Sequence, residues 1–205
     1  MGGKFLSLCL LVVIINVSAE WKVRKATREL IEGSCKGTRY PAKCVESLMG
    51  YAGSIGESEE KLAMSALSVS VWKSRSCASF VEKMGSVKGM KARERNAVED
   101  CIENMNDSLE RLSQSLRELG LVVVGKAKRK DFLWHISNVQ TWVSAAITDQ
   151  DTCLDSFDGP HLDAKLKAAI KPRVVDAYQV TTNALALVNR FASKYPSASA
   201  SASLP

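Results

Sequence analysis

The clearest pattern along the chain is a heptad. Val98, Ile102, Met105, Leu109, Leu112, Leu116 and Leu119 recur in alternating steps of four and three, which predicts a long amphipathic helix ended by Gly120. The opposite side, Asp100, Glu103, Asp107, Glu110, Arg111, Gln114, Arg117 and Glu118, has the charge that a water-facing surface requires. A later helix, predicted to begin near Asp131 and run to Phe157, is patterned differently. With about 100° of rotation per residue, Val139, Trp142, Val143, Ala146, Gln150, Cys153 and Phe157 share one side and predict a core face. Opposite them lie Ser137, Thr141, Ser144, Ala145, Thr148 and Thr152, and the first carboxylate on that side is Asp155. A helix facing only water would carry Lys and Glu there. A surface of small side chains loses little conformational freedom when something docks on it, so this stripe is a candidate partner face. The competing arrangement packs it on the chain's own N-terminal hairpin or on a second copy.

The remaining elements are helical too. Val23 to Glu32 predicts a short helix stopped by Gly33, and Pro41 sits in the first turn of a second one ending near Met49. Ser58, followed by Glu59 and Glu60, is a good N-cap for a helix running to about Lys83, before Gly85. After Gly159-Pro160, the positions Leu162, Leu166, Ile170, Val174, Ala177, Thr181, Ala184, Leu185, Val188 and Phe191 mark a last long helix, which Pro172 should kink or restart. No stretch alternates with period two long enough to found a sheet. The fold class is therefore all-α, an up-and-down four-helix bundle with an N-terminal helical hairpin. The heptad could instead join two chains, but three heptads closed by glycine fit an intramolecular core.

The N-terminus changes the setting. Lys4, the apolar run from Phe5 to Ile15 and the small residues Val17-Ser18-Ala19 predict a secretory signal peptide over residues 1–19. A helical domain would follow over 20–195, and the Ser/Ala-rich residues 196–205 have the composition of a disordered tail. A membrane-spanning helix needs about 20 apolar residues, and no segment approaches that. The mature chain, with 27 basic and 22 acidic groups, is then mildly cationic, soluble and extracellular.

In that oxidising setting Cys35, Cys44, Cys77, Cys101 and Cys153 remain. Two bridges and one free thiol can be drawn in fifteen ways, which spacing alone does not rank. Cys35 and Cys44 flank a tight turn and could close a ten-residue loop, worth about 2.7 kcal/mol by chain entropy. Cys101 and Cys153 lie on successive long helices and could close about 53 residues, worth about 4 kcal/mol. Cys77 would then be left over, as a small buried hydrophobe or as a reactive or intermolecular thiol.

Catalytic chemistry is not visible. His135 and His161 have no partners at metal-ligand spacing, and no nucleophile elbow, phosphate-cradling glycine loop or Cys-x-x-Cys occurs. These observations predict no catalytic residues, no metal and no cofactor. The basic cluster Lys126, Lys128, Arg129 and Lys130 lies in a predicted turn; in a secreted chain it would meet an acidic polysaccharide or an acidic protein rim, not nucleic acid. Asn106-Asp107-Ser108 is a glycosylation sequon on the exposed side of its helix.

Four segments together carry a family resemblance: Cys35-x8-Cys44 enclosing Thr38-Arg39-Tyr40-Pro41, Val98-Glu99-Asp100-Cys101-Ile102-Glu103, Val139 to Thr148 with Thr152-Cys153, and Thr182-Asn183-Ala184-Leu185-Ala186-Leu187. In this order they resemble the plant invertase and pectin methylesterase inhibitor family, over about Arg28 to Lys194. The resemblance implies a helical hairpin on a four-helix bundle, the pairings Cys35–Cys44 and Cys101–Cys153, a free Cys77, and secretion to the cell wall. Invertase inhibitors of the family carry a Pro-Lys-Phe element, and here the prolines are followed by Ala42, His161, Arg173 and Ser197. Pectin methylesterase inhibitors use outer helix faces to cover the enzyme's cleft, with a threonine directly before the motif cysteine, which is Thr152 here. The expected partner is thus a pectin methylesterase in a 1:1 complex, met by Thr141, Ser144, Thr148 and Thr152. Invertase is the alternative target, and weak contact of acidic pectin with Lys126, Lys128, Arg129 and Lys130 is a further one.

Overall fold

A computed structural model describes residues 23–123, 125, 131–159 and 162–194. The expected leader over 1–19, the basic cluster Lys126, Lys128, Arg129 and Lys130, and the tail over 196–205 lie outside the described residues. Seven helices are found within them: α1 over 23–35, α2 Pro41–Met49, α3 Ala52–Ile55, α4 Glu59–Gly85, α5 Ala92–Val123, α6 Phe132–Asp155 and α7 Ala164–Ser193. The described residues contain no strand. Among them, no helix is long and apolar enough to cross a membrane.

Helices α4 to α7 form the bundle, each packed on its sequence neighbour, with α4 closing the ring against α7. Their ends show the antiparallel order. Glu59 at the start of α4 pairs with Arg190 and Lys194 at the end of α7, at 3.0 and 2.8 Å. Cys101 near the start of α5 is bonded to Cys153 near the end of α6. Caps follow local chemistry: the Ser58 hydroxyl accepts from the N–H of Lys61, and the Asp163 carboxylate accepts from those of Lys165 and Leu166.

The heptad face is set differently from its apolar pattern. Val98, Met105, Leu112 and Leu119 are fully buried, but Ile102, Leu109 and Leu116 are only half-buried, and Cys101, Ser108 and Ser115 are buried in their place. The face is turned because α5 packs on α4 and α6 together, and its serines can be buried once their hydroxyls have acceptors. The Ser108 hydroxyl donates to the carbonyl of Ala146, and that of Ser115 to the carbonyl of Arg111.

Several glycine and proline expectations also change. Helix α5 passes through Gly120 to Val123, and the reversal falls at Gly125, which has φ of 69°. Helix α1 continues past Gly33, and α4 includes Gly85. Pro172 lies inside α7 without dividing it, and Leu162 precedes that helix although it is buried against the core. The short α3, with Gly53 inside it and Gly50 and Gly56 on either side, has no counterpart among the expected elements.

A polar layer crosses the core. Gln150 of α6 is fully buried, and its Nε2 lies 3.0 Å from the Ser74 hydroxyl of α4, 2.9 Å from Ser108 of α5 and 3.2 Å from Thr181 of α7. The Ser108 and Thr181 protons are committed to the carbonyls of Ala146 and Ala177, so those two oxygens can only accept. This orients the amide with its nitrogen toward them, two protons shared among three acceptors, while Oε1 has no hydrogen-bond partner. Apolar clusters flank the layer, one around Leu67, Leu112, Val143 and Val188, the other around Val81, Met105, Phe157 and Val174.

The hairpin is fastened to the α4/α7 side. Cys35 and Cys44 are joined, and the buried Asn183 side chain of α7 takes both backbone groups of Tyr40, accepting its N–H at 3.0 Å and donating to its carbonyl at 2.8 Å. Asp176 of α7 adds an ionic clamp between Lys43 of α2 and Lys73 of α4.

The polar layer makes a stability prediction. Gln150→Ala leaves a cavity and strips the Ser74 and Ser108 oxygens of a donor, and is expected to destabilise by about 2–4 kcal/mol in urea unfolding. Gln150→Leu keeps the volume and removes the unpartnered Oε1, and should cost less than about 2 kcal/mol. Equal losses would contradict this account of the layer.

Candidate functional site

The outer face of α6 is the candidate. Ser137, Thr141, Ser144, Thr148 and Thr152 are all exposed, and Ala145 is half-buried. The hairpin does not cover them, because it sits over α4 and α7. Gln150 explains why they point outward. It is two residues from both Thr148 and Thr152, about 200° around the helix from each, so an inward Gln150 sends both threonines to solvent. Cys153, disulfide-bonded to α5, fixes the same rotation one turn further on.

The hydroxyls have a shared hydrogen-bond state. Thr141 donates to the carbonyl of Ser137, Ser144 to Gln140, Thr148 to Ser144, Thr152 to Thr148 and Ser156 to Thr152, all between 2.7 and 3.2 Å. With their protons bound to the helix, these oxygens present lone pairs outward. The face is therefore a row of acceptors on a rigid support, complementary to N–H or O–H donors of a partner.

Both flanks are braced. On the α5 side Arg111 donates to Asp149 at 2.8 Å and lies 3.8 Å from Asp107. Burial lifts the Asp149 carboxyl above its ordinary value, more than the Arg111 charge and hydrogen bond bring it down. On the α7 side Gln140 donates to Asn189 at 2.8 Å.

At the N-terminal end of α6, His135 Nδ1 lies 2.8 Å from Glu118 Oε1, which also accepts from Asn138 at 3.0 Å. Burial pushes the Glu118 carboxyl up, but the hydrogen bonds from Asn138 and then His135 outweigh it and hold it below the usual glutamate range.

Two residues that the pattern reading passed over extend this face. Leu133 is 48% exposed and Trp134 is 62% exposed. Trp134 precedes Ser137 by three positions and Leu133 precedes it by four, so both continue the stripe toward the helix start. Extending the same wheel by one turn would have found them. Trp142, expected in the core, is half-buried.

The other expected positions lie elsewhere. Asn106 is exposed on α5, 3.4 Å from Glu82 Oε1, while its sequon partner Ser108 is fully buried. Cys77 is an unbonded cysteine inside the lower cluster, and burial pushes its thiol up to about 12. No group of His, Cys, Asp or Glu among the described residues could hold a metal ion.

The arrangement is a disulfide-fastened helical bundle with an exposed, uncharged row of acceptors on α6. The family described as plant invertase/pectin methylesterase inhibitor matches residues 29–187, and the chain belongs to that family. It is 44% identical over 172 residues to pectinesterase inhibitor 11 of Arabidopsis thaliana, covering 83% of this chain and 84% of that one. Pectinesterase inhibitor 9 of Arabidopsis thaliana is 42% identical over 192 residues, covering 93% and 94%. A 21 kDa protein of Daucus carota is 42% identical over 186 residues, covering 91% and 93%. Among solved structures, a mutant form of a pectin methylesterase inhibitor from Arabidopsis shares the fold with a TM-score of 0.59 at 17% identity, over 76% of this chain and 92% of that one. The family and the two pectinesterase inhibitors among these relatives are inhibitor proteins by description, and the chain is not an enzyme.

The contact of Glu118 on α5 with His135 and Asn138 on α6 has a pH signature. A carboxyl with a depressed folded value contributes stability that is present above its unfolded value, about 4.3 for Glu, and is lost as pH falls through the folded value. Amide exchange in the first turns of α6 should therefore accelerate as pH falls below about 4, after correction for intrinsic rates, and Glu118→Gln should flatten that dependence. An unchanged profile in the variant would contradict this role for the Glu118 contact.

Proposed function

We propose that this protein is a secreted inhibitor of pectin methylesterase that lays the outer face of α6 over the enzyme's substrate cleft in a 1:1 complex. The observation that carries the reading is the exposed row Thr141, Ser144, Thr148 and Thr152, with every hydroxyl proton bound to the helix. A cleft that binds a hydroxyl-rich, carboxyl-bearing polymer presents donors, and fixed acceptor oxygens on short side chains can meet them at low entropic cost. Trp134 and Leu133 supply the apolar anchor that the stripe lacks, since aromatic side chains dominate most protein interfaces. Inhibition is steric and needs no covalent step.

Secretion rests on the leader over residues 1–19 and agrees with a disulfide-bonded fold. Asn106 is proposed as the glycosylation site. Because Ser108 is buried in the folded bundle, the sugar would be added before α5 packs.

The test is inhibition of a plant pectin methylesterase by stripe variants. Thr148→Lys and Thr152→Lys should each weaken inhibition by about 100-fold or more, because an unpaired ammonium would be trapped in the interface. Helical circular dichroism should not change, since both sites are exposed. Trp134→Ala should weaken inhibition by about tenfold or more. Full potency in both lysine variants would remove α6 as the docking face.

A further inference from the structure

The connection between α4 and α5 carries cations that neither the fold nor the α6 face uses. Lys83, Lys88, Lys91, Arg93 and Arg95 fall between positions 83 and 95, and all five are exposed. None has an ion pair or a side-chain hydrogen bond among the described residues. Several other cations of the bundle are paired, Lys43 and Lys73 with Asp176, Arg111 with Asp149, Lys171 with Asp158, and Arg190 and Lys194 with Glu59. Lys61, Arg75, Arg117 and Lys165 stand unpaired among the described residues but are dispersed along their helices. The one carboxylate within the segment, Glu94, is turned inward, 6% exposed and accepting the backbone N–H of Lys91 at 2.9 Å. Glu82, just before it, faces Asn106. Gly89, with φ of 84°, makes the turn that joins the two helix ends.

Five neighbouring cations left without counter-charges, beside a carboxylate withdrawn into the fold, make a positive surface that attracts anions. A protein partner is the weaker fit. Interface centres are depleted in Lys and rich in aromatics, and the exposed large hydrophobic here is Val87 alone. Exposed ammonium and guanidinium groups suit a flexible polymer that carries charge at regular intervals and is bound through neutralisation. We propose that the α4–α5 turn binds a linear anionic polysaccharide through its free carboxylates. The choice of a uronic-acid polymer rests on the pectin methylesterase reading, since ester hydrolysis by that enzyme leaves such carboxylates; the charge argument does not depend on it. Cys101 and Cys153 join α5 to α6 near this end of the bundle, so the turn lies toward the Thr152 end of the stripe. The inhibitor would thus be held on polymer that the esterase has already converted.

The experiment measures binding of the purified, oxidised mature protein to polygalacturonate and to the fully methyl-esterified polymer, at low salt and at high salt. Binding to the acidic polymer, little to the ester, and a loss of about tenfold or more at high salt are expected. Reversing Lys88, Lys91 and Arg93 together to Glu should weaken binding by about tenfold or more, with thermal unfolding and inhibition of the esterase unchanged. Reversal of Lys126, Lys128 and Arg129 serves as the control. Equal binding of both polymers, full binding by the α4–α5 variant, or a loss confined to the control variant would overturn the proposal. Equal retention on polyglutamate would overturn the choice of a polysaccharide. Inhibition read on the same variants reports separately on the α6 face.

Discussion

The side-chain amide of Gln150 sits where all four bundle helices meet, and its hydrogen bonds to Ser74, Ser108 and Thr181 tie α6 to each of the other three. An apolar core tolerates small rotations of a helix, because one leucine contact can be exchanged for another. A buried amide does not, since turning away from its acceptors leaves a polar group without partners in a low-dielectric interior. The layer therefore sets the rotation of α6, and the Cys101–Cys153 bond sets it again nearby. The threonines and serine on the far side are exposed because of these two constraints.

A second consequence is the asymmetry of the molecule. The hairpin could in principle cover any groove of a four-helix bundle. Here Asn183 clamps Tyr40 and Asp176 bridges Lys43 and Lys73, which commits the hairpin to the α4/α7 side. Burial pushes the Asp176 carboxyl up, but the hydrogen bonds from Lys73 and Lys43 hold it below the usual range, so the clamp persists at mildly acidic pH. The opposite side of the bundle, with the acceptor row of α6, is left uncovered. The bundle thus presents a helix face already fixed in shape.

Much of this was legible in the pattern of residues. Helix order and fold class followed from periodicity, and the small-residue stripe followed from a wheel. What was not legible depended on partners distant in sequence. The heptad favoured Ile102, Leu109 and Leu116 by hydrophobicity, but Ser108 faces inward because Gln150 and the carbonyl of Ala146 meet it there, about forty positions away in the chain. Gly120 looked like a helix stop because glycine often is one, yet the positive φ falls at Gly125. Asn183 stood within one of the four segments that carry the family resemblance, without an evident task, and its task is the backbone of Tyr40. The hydroxyl stripe could be placed from sequence, but its acceptor-only character could not, because that requires the hydrogen bonds to the preceding turn.

We propose inhibition of pectin methylesterase as the function of this bundle. It is tested most directly by titrating the oxidised mature protein into a plant pectin methylesterase and, in parallel, into an acid invertase at mildly acidic pH, and following both activities. Loss of esterase activity at near one-to-one stoichiometry, with invertase unaffected, is the expected result. Loss of invertase activity alone, or no loss of esterase activity at stoichiometric excess, would contradict it.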